Sequence, residues 1–213
     1  MKTDDLISLL AADTAPVPSR AASRQIAIAM AVGISLAILT MLLTMGTRPD
    51  LAQAIRFPMF WVKVLFPAAV ACAAFATLTR LARPGVSAGA GKLVSVLPVL
   101  LLWLMAIAAY AGAPPLERAA MVWGQSWRTC TVSVLMISVP IFVAAFVALR
   151  QLAPTQLRQA GAFAGVLSGG AGAAIYALHC PETAMPFIAI WYVAGMAVAA
   201  GVGAVVAARL LRW

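Results

Sequence analysis

Apolar residues fall in six blocks, running roughly Gln25 to Met45, Phe60 to Leu81, Leu93 to Ala111, Thr131 to Leu149, Gly161 to Leu178 and Phe187 to Ala208. A helix rising about 1.5 Å per residue needs about 20 residues to cross roughly 30 Å of hydrocarbon, and each block is close to that length. The pattern predicts an all-α, polytopic membrane bundle of six transmembrane helices. Arg20 and Arg24 precede the first block as they would a secretory signal, but the block is too long for a signal h-region. No small-residue cleavage site follows at Met45-Gly46-Thr47, so it is expected to stay as a helix.

Small residues predict how the helices meet. Gly161, Gly165 and Gly169 repeat every fourth position in the fifth block, Gly170 and Gly172 follow, and Gly195, Ala199 and Gly203 answer in the sixth. Such faces let backbones approach closely in lipid, where no hydrophobic drive joins helices. The last two helices should therefore form a tight hairpin. Pro67, Pro98 and Pro140 lie inside the second, third and fourth blocks and should kink rather than break them.

Composition agrees with lipid as the solvent: of 213 residues, 64% are hydrophobic and 10% charged, and the mean hydropathy is +0.99. The formal charge of +9 does not point to nucleic acid, because the 15 Lys and Arg sit at the ends of apolar blocks without a basic stripe. They read as topology signals. Lys2, Arg20, Arg24, Arg80, Arg83, Lys92, Arg150, Arg158, Arg209 and Arg212 make ten on one side, against five, Arg48, Arg56, Lys63, Arg118 and Arg128, on the other. The positive-inside rule then puts both termini in the cytoplasm. Trp61, Tyr110, Trp123, Trp127, Tyr176, Trp191 and Tyr192 fall near the outer interface, where Trp and Tyr ordinarily form a belt.

No block carries Asp, Glu or His at depth, and the nearest formal charge is Lys63, at the outer end of the second. Pumps and proton relays ordinarily need such groups. Walker, Rossmann, His-Glu-x-x-His and Gly-x-Ser-x-Gly patterns are also missing, and there is one His in the chain. Enzymatic activity is not expected. Two rival classes stay in view: a small transporter or channel, for which pore-lining polar groups are wanting, and a membrane thiol or quinone-linked oxidoreductase, for which no Cys-x-x-Cys is present.

Chemistry concentrates in two places. Cys72 lies mid-helix among alanines and reads as small apolar filler. Cys130 and Cys180 instead fall on the outer side at similar depth, and they are expected to lie close together, with Cys72 apart from them. His179 precedes Cys180 and Glu182 follows Pro181, so Cys130, Cys180, His179 and Glu182 offer four ligands for a soft or borderline metal. A transiently bound ion at Cys130 and Cys180 is the one cofactor this set could hold. A disulfide, a reactive thiol pair sensing metals or oxidants, and two unrelated thiols all remain open, and Arg128 is placed to lower the pKa of Cys130.

The second place is the N-terminal tail, residues 1–24, ahead of the transmembrane domain of residues 25–213. Thr3 suits an N-cap, and Asp4 and Asp5 suit the first helical turn. Leu6, Ile7, Leu9 and Leu10 make an apolar stripe, Asp13 ends the segment, and Ala15-Pro16-Val17-Pro18 supplies a stiff linker. A helix lying on the inner leaflet would carry Lys and Arg. Three Asp, with only Lys2 beside them, favour a helix offered to a protein groove.

The opening Lys2-Thr3-Asp4-Asp5-Leu6-Ile7 with Leu9 and Leu10, the six blocks, His179-Cys180-Pro181-Glu182, the Gly-rich last block and Leu210-Leu211-Arg212-Trp213 together resemble the NrsF-type negative regulators of extracytoplasmic-function sigma factors, inner-membrane proteins of Gram-negative bacteria. The resemblance spans essentially the whole chain. It implies an anti-sigma factor that holds its sigma factor at the membrane until a stress signal releases it, with no direct contact to nucleic acid. Asp4, Asp5, Leu6, Ile7, Leu9 and Leu10 would then be the partner-binding residues, and the outer cysteines the sensing site.

Overall fold

The computed structural model describes residues 3–12, 21–83, 85–152 and 154–211. Lys2, Asp13, the Ala15 to Pro18 linker, Arg20, Arg212 and Trp213 lie outside the described residues, as do the side chains of Leu6, Leu9 and Leu10. Among the described residues every regular element is a helix. Helix α1 is Thr3–Ala12, with Asp4 and Asp5 in its first turn and Ile7 exposed.

The long helices are α2 (Ala21–Thr44), α4 (Pro58–Leu81), α5 (Gly91–Gly112), α7 (Trp127–Leu152), α8 (Leu157–Tyr176) and α10 (Val193–Leu210). Short helices join them at one end of the bundle: α3 (Leu51–Ala54), α6 (Pro115–Trp123), and α9 (Met185–Phe187), which a π-helical turn over Ile188–Tyr192 joins to α10. Local chemistry sets the boundaries. Gly46, at φ 70°, closes α2 as its N–H reaches back 3.0 Å to the Met41 carbonyl. Proline opens α4 and α6 at a position whose N–H needs no helical partner.

Among the described residues, five helical stretches are long and apolar enough to cross a membrane: α2, α4, α5, α6 running into α7, and α9 running into α10. The fifth apolar block of the sequence, now α8, is not among them, because Gly161, Gly165, Gly169, Gly170 and Gly172 dilute its hydropathy. Its position in the bundle accounts for that composition. Helix α8 is the central strut, packed on α10, α4, α7 and α2, and small residues let three neighbours reach its backbone. A Cβ on Gly161 would lie 2.9 Å from the Gly203 carbonyl carbon, and one on Gly165 would lie 2.7 Å from Ala200 Cα, both in α10. A Cβ on Gly170 would meet the Pro67 carbonyl of α4 at 2.8 Å, and Gly172 faces Ser138 of α7. The expected hairpin is therefore present with one correction: Gly195 turns to Val134 of α7 instead of α8.

Pro67, Pro98 and Pro140 do lie inside α4, α5 and α7. Outward from the core, α2 and α5 expose leucine, isoleucine and valine, including Leu36, Leu39, Leu43, Leu97, Leu101, Leu104 and Ile107. Water-soluble monomers rarely present such continuous apolar surface, and the surface is compatible with a lipid environment. Cys72 belongs to that surface and does not fill the core.

Candidate functional site

The end of the bundle carrying α3, α6 and α9 holds a buried cluster built from six segments. Helix α7 brings Cys130 one turn from its start, and the segment after α8 brings Cys180; both are free thiols with 0% exposure. They lie in one buried cluster and are electrostatic neighbours of each other. Tyr176, from the last turn of α8, is buried beside them, with both cysteines and Ser133 of α7 as its electrostatic neighbours. Tyr192, at the end of the π turn, is buried with no hydrogen-bond partner for its hydroxyl, and its electrostatic neighbours are the two cysteines.

Lys63 completes the cluster. It lies in the second turn of α4 with 0% exposure, and its Nζ donates to the carbonyl oxygens of Cys180 and Glu182, each at 2.6 Å. The same ammonium lies 5.7 Å from the centroid of the Tyr192 ring, with the Cys180 and Cys130 thiols as its electrostatic neighbours. Pro67 stands four residues on, so the Lys63 carbonyl has no helical N–H to accept.

Three further contacts clamp the Cys180 segment. Arg48 donates its backbone N–H to the Leu178 carbonyl at 3.1 Å and its guanidinium to the Cys180 carbonyl at 3.4 Å, while pairing with Asp50 at 2.6 Å. That pairing raises the Arg48 pKa and lowers that of Asp50. His179 Nδ1 lies 3.0 Å from the Gly46 carbonyl. Glu182 sends its carboxylate to the start of α7, accepting from the backbone N–H of Gln125 at 2.7 Å and of Ser126 at 3.2 Å. An anion suits the free N–H groups and the positive end of a helix macrodipole. Gly124 makes room for it: at φ 51°, its missing Cβ would fall 2.7 Å from the Glu182 carboxylate.

Replacing Glu182 with Gln keeps the volume and removes the charge from these bonds. Loss of a capping charge of this kind is expected to cost about 1 to 2 kcal/mol, read as a lower thermal unfolding midpoint in detergent. An unchanged midpoint would mean that the clamp contributes nothing to stability.

Cys130 and Cys180 share one buried cluster, while His179 and Glu182 are engaged with other partners. Glu182 caps α7, His179 faces Gly46, and among the described residues no three His, Cys, Asp or Glu side chains form a group that could hold an ion. Arg128 does not serve Cys130; it stacks on Trp127 at 5.2 Å. Two residues read as interfacial belt, Tyr176 and Tyr192, are core residues of the site. Trp123, Trp127 and Trp191 do gather nearby, with ring centroids 5.0 to 5.8 Å apart.

The cluster favours negative charge on one sulfur. Cys180 is held well below the ordinary thiol range, first by the hydrogen bond from the Cys130 thiol, then by the Lys63 charge, the Tyr192 hydroxyl and the Glu182 N–H, all against the opposing effect of burial. Lys63 is the residue that sequence reasoning passed over. Its signal was there: a lone cation between Trp61, Val62, Val64 and Leu65, in a chain whose apolar blocks carry no acid.

Comparison with known proteins bears on the whole chain. The family model described as NrsF, negative regulator of sigma F, matches residues 10–213. A probable anti-sigma-F factor NrsF of Azospira oryzae is 40% identical over 213 residues, spanning all of both chains. The anti-sigma-F factor NrsF of Caulobacter vibrioides is 36% identical over 217 residues, again spanning all of both. No solved structure matches the chain. A full-length match at these identities means that the chain belongs to the NrsF family of negative regulators of sigma F.

Proposed function

We propose that this chain is a membrane-bound anti-sigma factor that holds a sigma factor of the extracytoplasmic-function class at the bacterial inner membrane and releases it when Cys130 and Cys180 are oxidised. The observation that carries the sensing half is the convergence of two free thiols, 50 residues apart in sequence, into one buried and positively biased cluster. Kinship with anti-sigma-F factors supports the regulatory half. In this reading α8 is the sixth crossing; enclosed by α2, α4, α7 and α10, it needs no apolar exterior of its own. The ten-to-five division of positive charge supports cytoplasmic termini and an outward-facing thiol cluster. The tail, residues 1–24, then meets the sigma factor in the cytoplasm, and the bilayer is the second partner.

The stimulus we assign is oxidation. With His179 and Glu182 engaged elsewhere, a metal ion would meet two sulfurs, fewer than the four ligands a closed zinc-type site takes. Serine at both positions keeps the approximate volume and loses the soft nucleophile. A Cys130→Ser/Cys180→Ser chain should silence a sigma-dependent reporter as fully as the parent does, and should stay silent when diamide or a hydroperoxide induces the parent. Induction of the double variant to the parental level would remove the thiols from sensing.

A further inference from the structure

An ammonium withdrawn from water costs several kcal/mol unless opposite charge or full hydrogen bonding replaces the solvent. Lys63 has two carbonyl oxygens, which are dipoles and not charges. Its titratable and charged neighbours come from four segments. Helix α7 contributes Cys130, the π turn contributes Tyr192, and the segment after α8 contributes Cys180; the turn after α2 contributes Arg48, a like charge. The two nearby carboxylates are spent, Asp50 on Arg48 and Glu182 on the N–H groups that open α7. Among the described residues no carboxylate lies within ion-pair distance of Lys63, whose polar contacts are the two carbonyl oxygens.

On the sulfur side the complementary need is visible. Cys180 sits beside the Lys63 ammonium, which holds the Cys180 carbonyl oxygen at 2.6 Å, and near the Cys130 thiol and the Tyr192 hydroxyl, which is fully buried and has no hydrogen-bond partner. A buried ammonium and a buried hydroxyl with no partner, both beside one thiol, are donors already in place for an anion there.

Resting on the reading of the thiol pair as the sensing site, we propose that Lys63 is the positioning residue and counter-ion of a Cys180 thiolate, so that Cys180 is the sulfur that reacts first and Cys130 the one that closes the disulfide. With a hydroperoxide as oxidant, the Cys180 thiolate forms a bond to the distal peroxide oxygen and the O–O bond breaks. The departing alkoxide takes a proton from water, and Cys180 becomes a sulfenic acid. The Cys130 sulfur then attacks Cys180; the S–S bond forms, the S–O bond breaks, and hydroxyl leaves with the Cys130 proton as water. The two sulfurs have lost two electrons and the peroxide has gained them. The thiolate is gone, and Lys63 is left as a buried charge without its counter-ion, at the turn of α4 that Pro67 already loosens. A sensor needs such a step: a covalent change at Cys180 alters the energy of a helix that packs along α8.

The test uses the purified full chain in detergent micelles, with Cys72→Ala to remove the surface thiol. The ultraviolet absorbance of the thiolate is followed against pH as the difference from a Cys180→Ser chain. Lys63→Met, similar in length and uncharged, should raise the titration midpoint by about 1 to 3 pH units, and Lys63→Arg should leave it near the parent. An unmoved midpoint in Lys63→Met, or an equal shift in Lys63→Arg, overturns the proposal. A second comparison keeps Lys63 in place and so does not depend on those variants folding. At neutral pH, Cys180→Asp, which keeps an anion beside Lys63, should unfold at a higher temperature than Cys180→Ser; the reverse order or equality overturns the proposal as well. Neither measurement involves a sigma factor. Failure here therefore leaves the anti-sigma reading intact, and a normal titration alongside an inducible double-serine chain removes the sensing role and not the ion pair.

Discussion

Replacing Gly165 with Ala, a change of one methyl group, should destabilise this protein more than almost any other single substitution of that size. Its new Cβ would lie 2.7 Å from Ala200 Cα and still closer to the Ala199 carbonyl. No rotamer change can relieve a clash with backbone. Helices α8 and α10 would have to move apart, and with them the Gly161 and Gly203 contact one turn further along. Ordinary overpacking costs about 1 to 3 kcal/mol; here the neighbour cannot yield, so the loss should reach the top of that range, with Gly165→Leu preventing stable assembly. Gly201→Ala is the control. Gly201 lies on α10 with nothing within 4 Å of a Cβ, and Ala exceeds Gly in helix propensity by roughly 1 kcal/mol. It should hold or raise the thermal midpoint in detergent while Gly165→Ala lowers it by many degrees. Equal midpoints for the two variants would show that α8 and α10 have slack at their closest approach.

Much of this packing is legible in the sequence because it depends on residue size at a fixed helical spacing, which needs no three-dimensional information. Gly161 and Gly165 against Gly203 and Ala199 follow from that spacing. Gly195 does not follow the same rule, because each four-residue step along a helix of 3.6 residues per turn drifts by about 40°, and two steps from Gly203 its face meets Val134 of α7. The blocks mark where helices lie, but α8 shows how composition misleads about environment. A helix surrounded by other helices needs small residues more than apolar ones, so its hydropathy falls where its burial is greatest.

The site was half legible for a related reason. Placing Cys130 and Cys180 on one side of a bundle follows from counting crossings, and their contact follows only from the packing of α7 against α8. Tyr176 and Tyr192 sit at helix ends, where an aromatic residue at an interface and one folded into a polar cluster look identical in sequence. Glu182 was read as a ligand from its neighbours in the chain, whereas its partners, Gln125 and Ser126, are more than 50 residues away. Charge counting assigned Lys63 to topology. An isolated cation among apolar neighbours, with no acid in any block, was the stronger signal, since buried charge in a membrane bundle is retained only where something compensates it.

The largest functional effect should come from the other end of the chain. In the proposed reading, Leu6, Ile7, Leu9 and Leu10 of α1 enter a groove on the sigma factor. Asp4 and Asp5, in the first turn, serve the helix N-terminus and steer the approach. A leucine-sized side chain contributes about 1.5 to 3 kcal/mol when fully buried, less the cost of ordering a helix of 10 residues, which is marginal alone. Losing two anchors together should therefore weaken binding by roughly 3 to 6 kcal/mol, about a hundredfold to ten-thousandfold. Leu6→Ala/Leu10→Ala is the informative variant, because alanine keeps helix propensity while removing the contact area. The sigma factor should fail to co-purify with this chain from detergent extracts, as it should with a chain lacking residues 1–20, although both insert normally. Asp4→Asn/Asp5→Asn should act more mildly, slowing association and flattening its salt dependence, as rim charges do. Retention of the sigma factor by the Leu6/Leu10 variant at the parental level would move the binding surface to the loops between α4 and α5 and between α7 and α8. These bear Arg80, Arg83, Lys92, Arg150 and Arg158 within or beside them, and binding there would be strongly salt-dependent where a leucine-anchored contact is not.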